Sequence, residues 1–178
     1  MTQLILETLP IVVLMFHALL VVVLAALIFR RSWGGKLASW VGKHGVVLGL
    51  LVSLSAVLGS LFYSSIAGYA PCVLCWWQRV FLFPLVIIFA VAMIKKIYSA
   101  YLFAVPMAVI GGLIALYHAQ SNLGGASVLP CTATGAECSK LYVMAFGYIT
   151  IPTMSLTIAI AILLLAWAKK IYDNNSHA

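Results

Sequence analysis

Of 178 residues, 65% are hydrophobic and 7% charged, against roughly half and a quarter in soluble globular domains. Ten basic and three acidic side chains cannot cover a water-facing surface of that size, so a soluble domain is excluded and the solvent is lipid. The formal charge of +7 does not point to nucleic acid, because Lys and Arg sit in short clusters between long apolar runs, with no basic stripe interleaved with aromatics.

Crossing about 30 Å of hydrocarbon takes about 20 apolar residues. In chain order the stretches that qualify are Thr8 to Phe29, Gly45 to about Tyr69, Cys72 to Ile94 (interrupted only by Arg79), Ile97 to Ala119, and about Tyr148 to Ala168. What remains is a basic connector from Arg30 to His44, tight links at Ala70-Pro71 and Lys95-Lys96, a polar stretch from Gln120 to about Gly147, and a short tail. This predicts an all-α polytopic membrane protein, a single membrane domain over 1–178 with five spans. Gly111-Gly112 reads as a close-packing point between helices, and Pro84 and Pro106 deprive the carbonyls of Val80 and Leu102 of their helical donors.

Lys and Arg near the ends of spans are retained on the cytoplasmic side. If every candidate spans, Arg30, Arg31, Lys36, Lys43, Lys95, Lys96, Lys169 and Lys170 fall on one side, and the other receives only Lys140. The N-terminus is therefore expected outside and the C-terminus in the cytoplasm. The first span reads as a reversed anchor and not a cleaved signal peptide, since its basic pair follows the apolar run. Its lone His17 reads as a residue packed against a neighbouring helix.

This topology puts all four cysteines outside: Cys72 and Cys75 at the mouth of the third span, Cys131 and Cys138 in the outer polar stretch. An even number confined to the oxidising face implies disulfide chemistry. In Ala70-Pro71-Cys72-Val73-Leu74-Cys75-Trp76-Trp77-Gln78-Arg79, a Pro suited to the first helical turn precedes a Cys-x-x-Cys at the helix N-terminus. Spacings of three and seven place Cys72, Cys75 and Arg79 on one face, with Arg79 a turn deeper. Helix dipole and guanidinium both favour a thiolate at Cys75, at the edge of the hydrocarbon, where it can meet a reactant dissolved in the membrane. Two other readings use the same residues. A four-cysteine zinc site is opposed by the embedded first pair and the wide second spacing, and a purely structural disulfide by the reactive Cys-x-x-Cys placement; no metal is expected. Trp76, Trp77, Tyr63, Tyr69, Tyr117, Tyr142 and Tyr148 gather at the outer ends, mostly as an interfacial belt.

Cys72-Val73-Leu74-Cys75 followed by Gln78-Arg79 resembles the signature of the DsbB family of membrane disulfide-forming proteins, in its short-loop, BdbC-like branch. The resemblance runs from about Gly45 onward. It implies a four-helix transmembrane bundle over 45–168, with an outer cysteine loop at 120–147 and a last helix reached through Ile149-Thr150-Ile151-Pro152. The span at 8–29 is then an addition, and the six residues between Cys131 and Cys138 make a shorter loop than in better-known members.

The resemblance further implies a thiol:quinone oxidoreductase in a bacterial plasma (inner) membrane. It would reoxidise a DsbA-like thioredoxin-fold partner on the periplasmic or extracellular face and pass the electrons to ubiquinone or menaquinone. Cys75 would be the thiolate that meets the quinone and Cys72 its disulfide partner, while Arg79 holds the quinone oxygen. Cys131 would be attacked by the partner, releasing Cys138 to attack the first pair. His118, in Tyr117-His118-Ala119-Gln120, is similar to a family histidine near the quinone headgroup. A vitamin K epoxide reductase relative would carry its loop pair before the membrane-embedded pair, the reverse of the order here. A non-catalytic membrane subunit with bracing disulfides is the remaining alternative.

Overall fold

In lipid every backbone N–H and C=O needs an internal partner, which leaves helices as the form these apolar runs adopt. The computed structural model describes residues 2–31, 33–124 and 141–176. Among these run α1 (Thr2–Ile28), α2 (Gly35–Lys43), α3 (Gly45–Leu61) continued by a π-helical turn at Phe62–Ile66, α4 (Val73–Leu82), α5 (Pro84–Lys95), α6 (Tyr101–Asn122) after a 3-10 turn at Tyr98–Ala100, and α7 (Ile151–Ser176).

Five stretches are long and apolar enough to cross a membrane: Gln3–Ile28, Gly45–Ile66, Val73–Lys95, Tyr101–Asn122 and Ile151–Asn175. They are the spans expected from composition, with moved ends. The third closes where Lys96 turns left-handed (φ 55°), so the fourth starts at Tyr101 and not at Ile97. The fifth continues past Ala168 because Lys169 pairs with Asp173 one turn on, which carries the helix into the polar zone. The basic connector is not a plain link: α2 lies on α7, burying Ala38, Val41 and Gly42. A Cβ at Gly42 would stand 2.5 Å from the carbonyl oxygen of Ala168, so this contact requires glycine.

α3, α4–α5, α6 and α7 close a four-sided bundle, with α3 against α5 and α7, α4 against α6, and α6 against α7. Lipid tails are as apolar as the side chains, so helices associate through close packing rather than exclusion of water. Small residues supply it: Ala104, Ala108 and Ala168 are buried around Phe89, whose ring occupies the space that a Cβ on Gly49 would need. At Gly111 and Gly112, where close packing is expected, a Cβ would approach Leu82 to 3.2 Å and Ala159 to 3.0 Å. Of the two prolines, Pro84 separates α4 from α5, whereas Pro106 lies within α6 without ending it. α1 sits outside the bundle, in contact mainly with α2 and α7.

The last helix is reached through a tight reversal. Phe146 and Gly147 both take positive φ (53° and 76°), and Ala145 and Ile149 exchange backbone hydrogen bonds of 3.0 and 2.9 Å. Thr150 and Thr153 then bond each other's backbone N–H, at 3.4 and 2.7 Å, and satisfy donors that the first turn of α7 leaves free.

Candidate active site

The redox motif begins one residue before its helix. Cys72 is the N-cap of α4, with extended backbone (φ −76°, ψ 173°), and its sulfur accepts the N–H of Cys75 at 3.4 Å. A sulfur in that position receives the unpaired N–H and the positive end of the helix dipole, which stabilise negative charge. Sequence spacing favours the thiolate at Cys75; the capping geometry directs the same stabilisation to Cys72. The two sulfurs are free thiols 3.2 Å apart, within a small rotation of a disulfide bond of about 2.05 Å.

Cys72 is buried, and the group behind it is His118 on α6, itself only 3% exposed. Gln78 Nε2 donates to His118 Nδ1 at 3.0 Å, which leaves the ring proton of a neutral imidazole on Nε2. That Nε2 lies 3.7 Å from Cys72 Sγ. Gln78, 4% exposed, therefore sets the tautomer of a histidine that addresses a cysteine. Gln78 is part of the sequence motif, but its function emerges only when α6 lies against α4.

Arg79 is turned away from this trio. Its Nε donates to Ser60 Oγ at 2.9 Å and its guanidinium to the Ser60 carbonyl oxygen at 3.1 Å, both on α3. The guanidinium lies 5.0 Å from the Trp76 ring centre and 5.8 Å from that of Phe83. Neighbouring residues on a helix point about 100° apart. Gln78 thus faces α6 and Arg79 faces α3, with a cleft between them lined by Cys72, Cys75, Gln78, Arg79, His118 and Asn122.

Aromatic side chains wall this cleft as well as the membrane edge. Trp76 and Trp77 are more than half exposed, as a belt requires. Tyr63 is not a belt residue: it is buried, 5.9 Å from Tyr69, which in turn stacks on Tyr142 at 4.8 Å. Tyr63 lies in the π-helical turn that ends α3, with its hydroxyl 3.8 Å from the Met154 sulfur on α7. Asn122 Oδ1 is buried without a hydrogen-bond partner among the described residues. His17, expected to pack on a neighbour, lies 2.7 Å through Nε2 from Thr157 Oγ1 and 3.2 Å through Nδ1 from the Tyr148 hydroxyl.

The ligand atoms of Cys72, Cys75 and His118 all lie within 4.8 Å of one another, close enough to hold a thiophilic ion and equally what a dithiol with an adjacent proton donor needs. Cys131 and Cys138 lie outside the described residues.

The family model described as "Disulfide bond formation protein DsbB" matches residues 42–169. A "Probable disulfide formation protein" of Metapseudomonas resinovorans is 40% identical over 138 residues, covering 75% of this chain and 89% of the relative. "Disulfide bond formation protein C" of Bacillus subtilis (strain 168) is 38% identical over 129 residues, 71% of this chain and 86% of the relative. The "SPbeta prophage-derived disulfide bond formation protein B" of the same organism is 35% identical over 137 residues, 74% and 93%. No solved structure matches the chain. Five spans, a Cys-x-x-Cys held against a histidine, and these likenesses agree: the chain belongs to the DsbB family, as a multi-pass membrane disulfide oxidoreductase that acts in disulfide bond formation.

Proposed function

We propose that the protein reoxidises a DsbA-like thioredoxin-fold dithiol oxidase and delivers the electrons to a membrane quinone, ubiquinone or menaquinone. The observation that carries this reading is the cleft itself, where a cysteine pair, a guanidinium and a buried histidine line one space at the end of the bundle. Orientation follows the basic residues: the cysteine end faces the periplasm or exterior of a bacterial plasma membrane, the N-terminus is outside and the C-terminus cytoplasmic.

The residues suit a quinone. Arg79 offers donors to an oxygen and charge for an anion, Phe83 and Tyr69 offer apolar faces, and Asn122 Oδ1 is an orphaned acceptor in the same cleft that a hydroxyl would satisfy. When bound, a quinone supplies the two-electron acceptor, leaving as quinol with two protons.

The partner's thiolate attacks Cys131 of a Cys131–Cys138 disulfide, and Cys138 leaves as a thiolate. Cys138 attacks the Cys72–Cys75 disulfide at Cys72, which releases Cys75 as a thiolate in the cleft it shares with Arg79. Arg79 stabilises that charge, and His118 Nε2 holds the proton that keeps Cys72 a good leaving sulfur. The partner's second thiolate attacks its mixed disulfide with Cys131 and releases Cys131, which attacks Cys138 of the Cys138–Cys72 disulfide and frees Cys72. Two electrons and two protons then pass from the Cys72–Cys75 dithiol to the acceptor, so that the partner dithiol has become a disulfide and both disulfides of this chain are restored.

The test mixes the purified protein with a reduced thioredoxin-fold dithiol oxidase and a quinone, following quinone absorbance and the partner's thiols together. One quinone consumed per partner disulfide formed is expected, with both signals lost in Cys75→Ser. Partner oxidation without quinone loss would reject the acceptor; no partner oxidation would leave the cysteines as braces.

A further inference from the structure

Below the cleft lies a second and larger space that the redox chemistry leaves unused. It measures about 620 Å³, against about 80 Å³ for the cleft, and lies between α1, α3 and α7. Its wall is aliphatic along Leu9, Val12 and Val13 of α1, Leu51 and Leu58 of α3, and Ile158 of α7. Several hydroxyls on that wall already have partners: Ser55 donates to the Val52 carbonyl at 2.8 Å, Thr157 to that of Thr153 at 2.8 Å and Tyr63 to the Met154 sulfur at 3.8 Å, while Ser60 Oγ accepts from Arg79. Among the described residues no formal charge lines it, so what fits is apolar.

The two spaces adjoin. Ala56, Ser60, Tyr63, Ile151 and Ser155 line both, so a molecule whose polar head meets Arg79 in the cleft can extend past Ser60 into the chamber. The chamber also depends on the helix that is outside the family match, since that match begins at residue 42. α1 packs mainly on α2 and α7, and His17, bonded to Thr157 and close to the Tyr148 hydroxyl, holds that outer wall to α7.

We propose that the N-terminal helix encloses a binding slot for the apolar polyprenyl tail of the quinone. This rests on the quinone reading above and assigns that ligand's second half to a place. The size agrees: small-molecule sites occupy about 300–1,000 Å³. The gain is one of position and not of water removal, because the tail is solvated by lipid before it binds. A tail seated between α1 and α3 keeps the headgroup beside Cys75 and Arg79 for longer.

Gly59 gives access to a clean test, since it lines the chamber and a Cβ placed there has nothing within 4 Å. Gly59→Leu fills the slot from α3, and Val13→Phe from α1. Binding is read by quenching of intrinsic tryptophan fluorescence in the full-length protein, using two quinones of one headgroup, one with a long polyprenyl tail and one with a single isoprene unit. Wild type is expected to bind the long-tailed quinone more tightly. Each variant should lose about five- to tenfold in affinity for it, change nothing for the short one, and raise KM to match. Equal affinity for both quinones in wild type, or variants that weaken both alike, would overturn the slot while leaving quinone reduction intact. Wild type that binds and reduces neither quinone would overturn the quinone reading and the slot together.

Discussion

At the end of the bundle where α3 and α6 begin, helices meet through backbone and small side chains: Tyr101 donates to the Gly45 carbonyl at 2.7 Å, Gly42 abuts Ala168, and Phe89 is clasped by Gly49. At the opposite end α3 gives way to a π-helical turn and α4 starts only after the extended N-cap Cys72, and polar side chains stand in the gaps. The closed end has few hydrogen-bonding side chains to satisfy and can be packed solid. The open end holds Gln78, Arg79 and His118 out of water, which is tolerable only because each has a specific partner on a neighbouring helix. One end gives stability, so the other can keep a cleft.

The sharpest way to break that division is to damage the solid end and look for consequences at the cleft. Phe89 is fully buried, and Phe89→Ala should lower stability by about 3 to 5 kcal/mol, the usual cost of emptying an aromatic site. The midpoint of denaturant unfolding in detergent micelles reads this. At a temperature where the variant remains folded, quinone reduction per folded molecule should equal that of wild type; a rate that falls further than the folded fraction would show the two ends to be coupled.

A smaller free-energy change is expected at the open end, with the opposite signature. Arg79→Met should leave the unfolding midpoint near wild type and slow quinone reduction about ten- to a hundredfold, roughly 1.4 to 2.7 kcal/mol. Arg79→Lys should recover only part. Arg79 bonds the hydroxyl and the carbonyl oxygen of Ser60 through two different nitrogens, and an ammonium lacks that fork. The loss should divide between KM for quinone and kcat. Unchanged kinetics would leave Arg79 a membrane-edge anchor, and a large fall in stability would make it part of the scaffold.

The spans were legible because hydrocarbon thickness imposes one length on every helix, and the cysteine motif because its spacing is local. Less legible was anything that depends on which helix comes next to which. Composition read Arg30 to His44 as a connector because nine amphipathic residues do not announce a helix; Gly42 makes sense only against Ala168. Tyr63 read as a belt residue because the neighbours that bury it, Tyr69 and Met154 of α7, are brought to it only by the fold. The common face expected for Cys72, Cys75 and Arg79 assumed Cys72 to be helical; as the N-cap it is not, and the residues share a cleft instead. Arg79's partner on α3 and Gln78's on α6 are contacts across 19 and 40 residues, beyond the reach of any motif.

The smallest effect tests whether Gln78 belongs to the site or to the packing around it. Buried between α4 and α6, its amide donates to His118 Nδ1, and the physical consequence is a tautomer, not a charge. Gln78→Leu keeps the volume and removes the donor, so the imidazole proton is free to move to Nδ1 and cease addressing Cys72. If half or more of the molecules adopt the wrong tautomer, exchange at Cys72 should slow about three- to tenfold, at most about 1.4 kcal/mol. Loss of packing would produce a similar fall in rate, so the decision lies in a double-mutant cycle with His118→Ala. A residue that acts only through His118 has nothing left to do once the imidazole is gone, and Gln78→Leu should then add less than a twofold change. Full additivity of the two substitutions would assign Gln78 to the packing between α4 and α6. A strongly sub-additive pair would make it the group that aims the histidine at the sulfur.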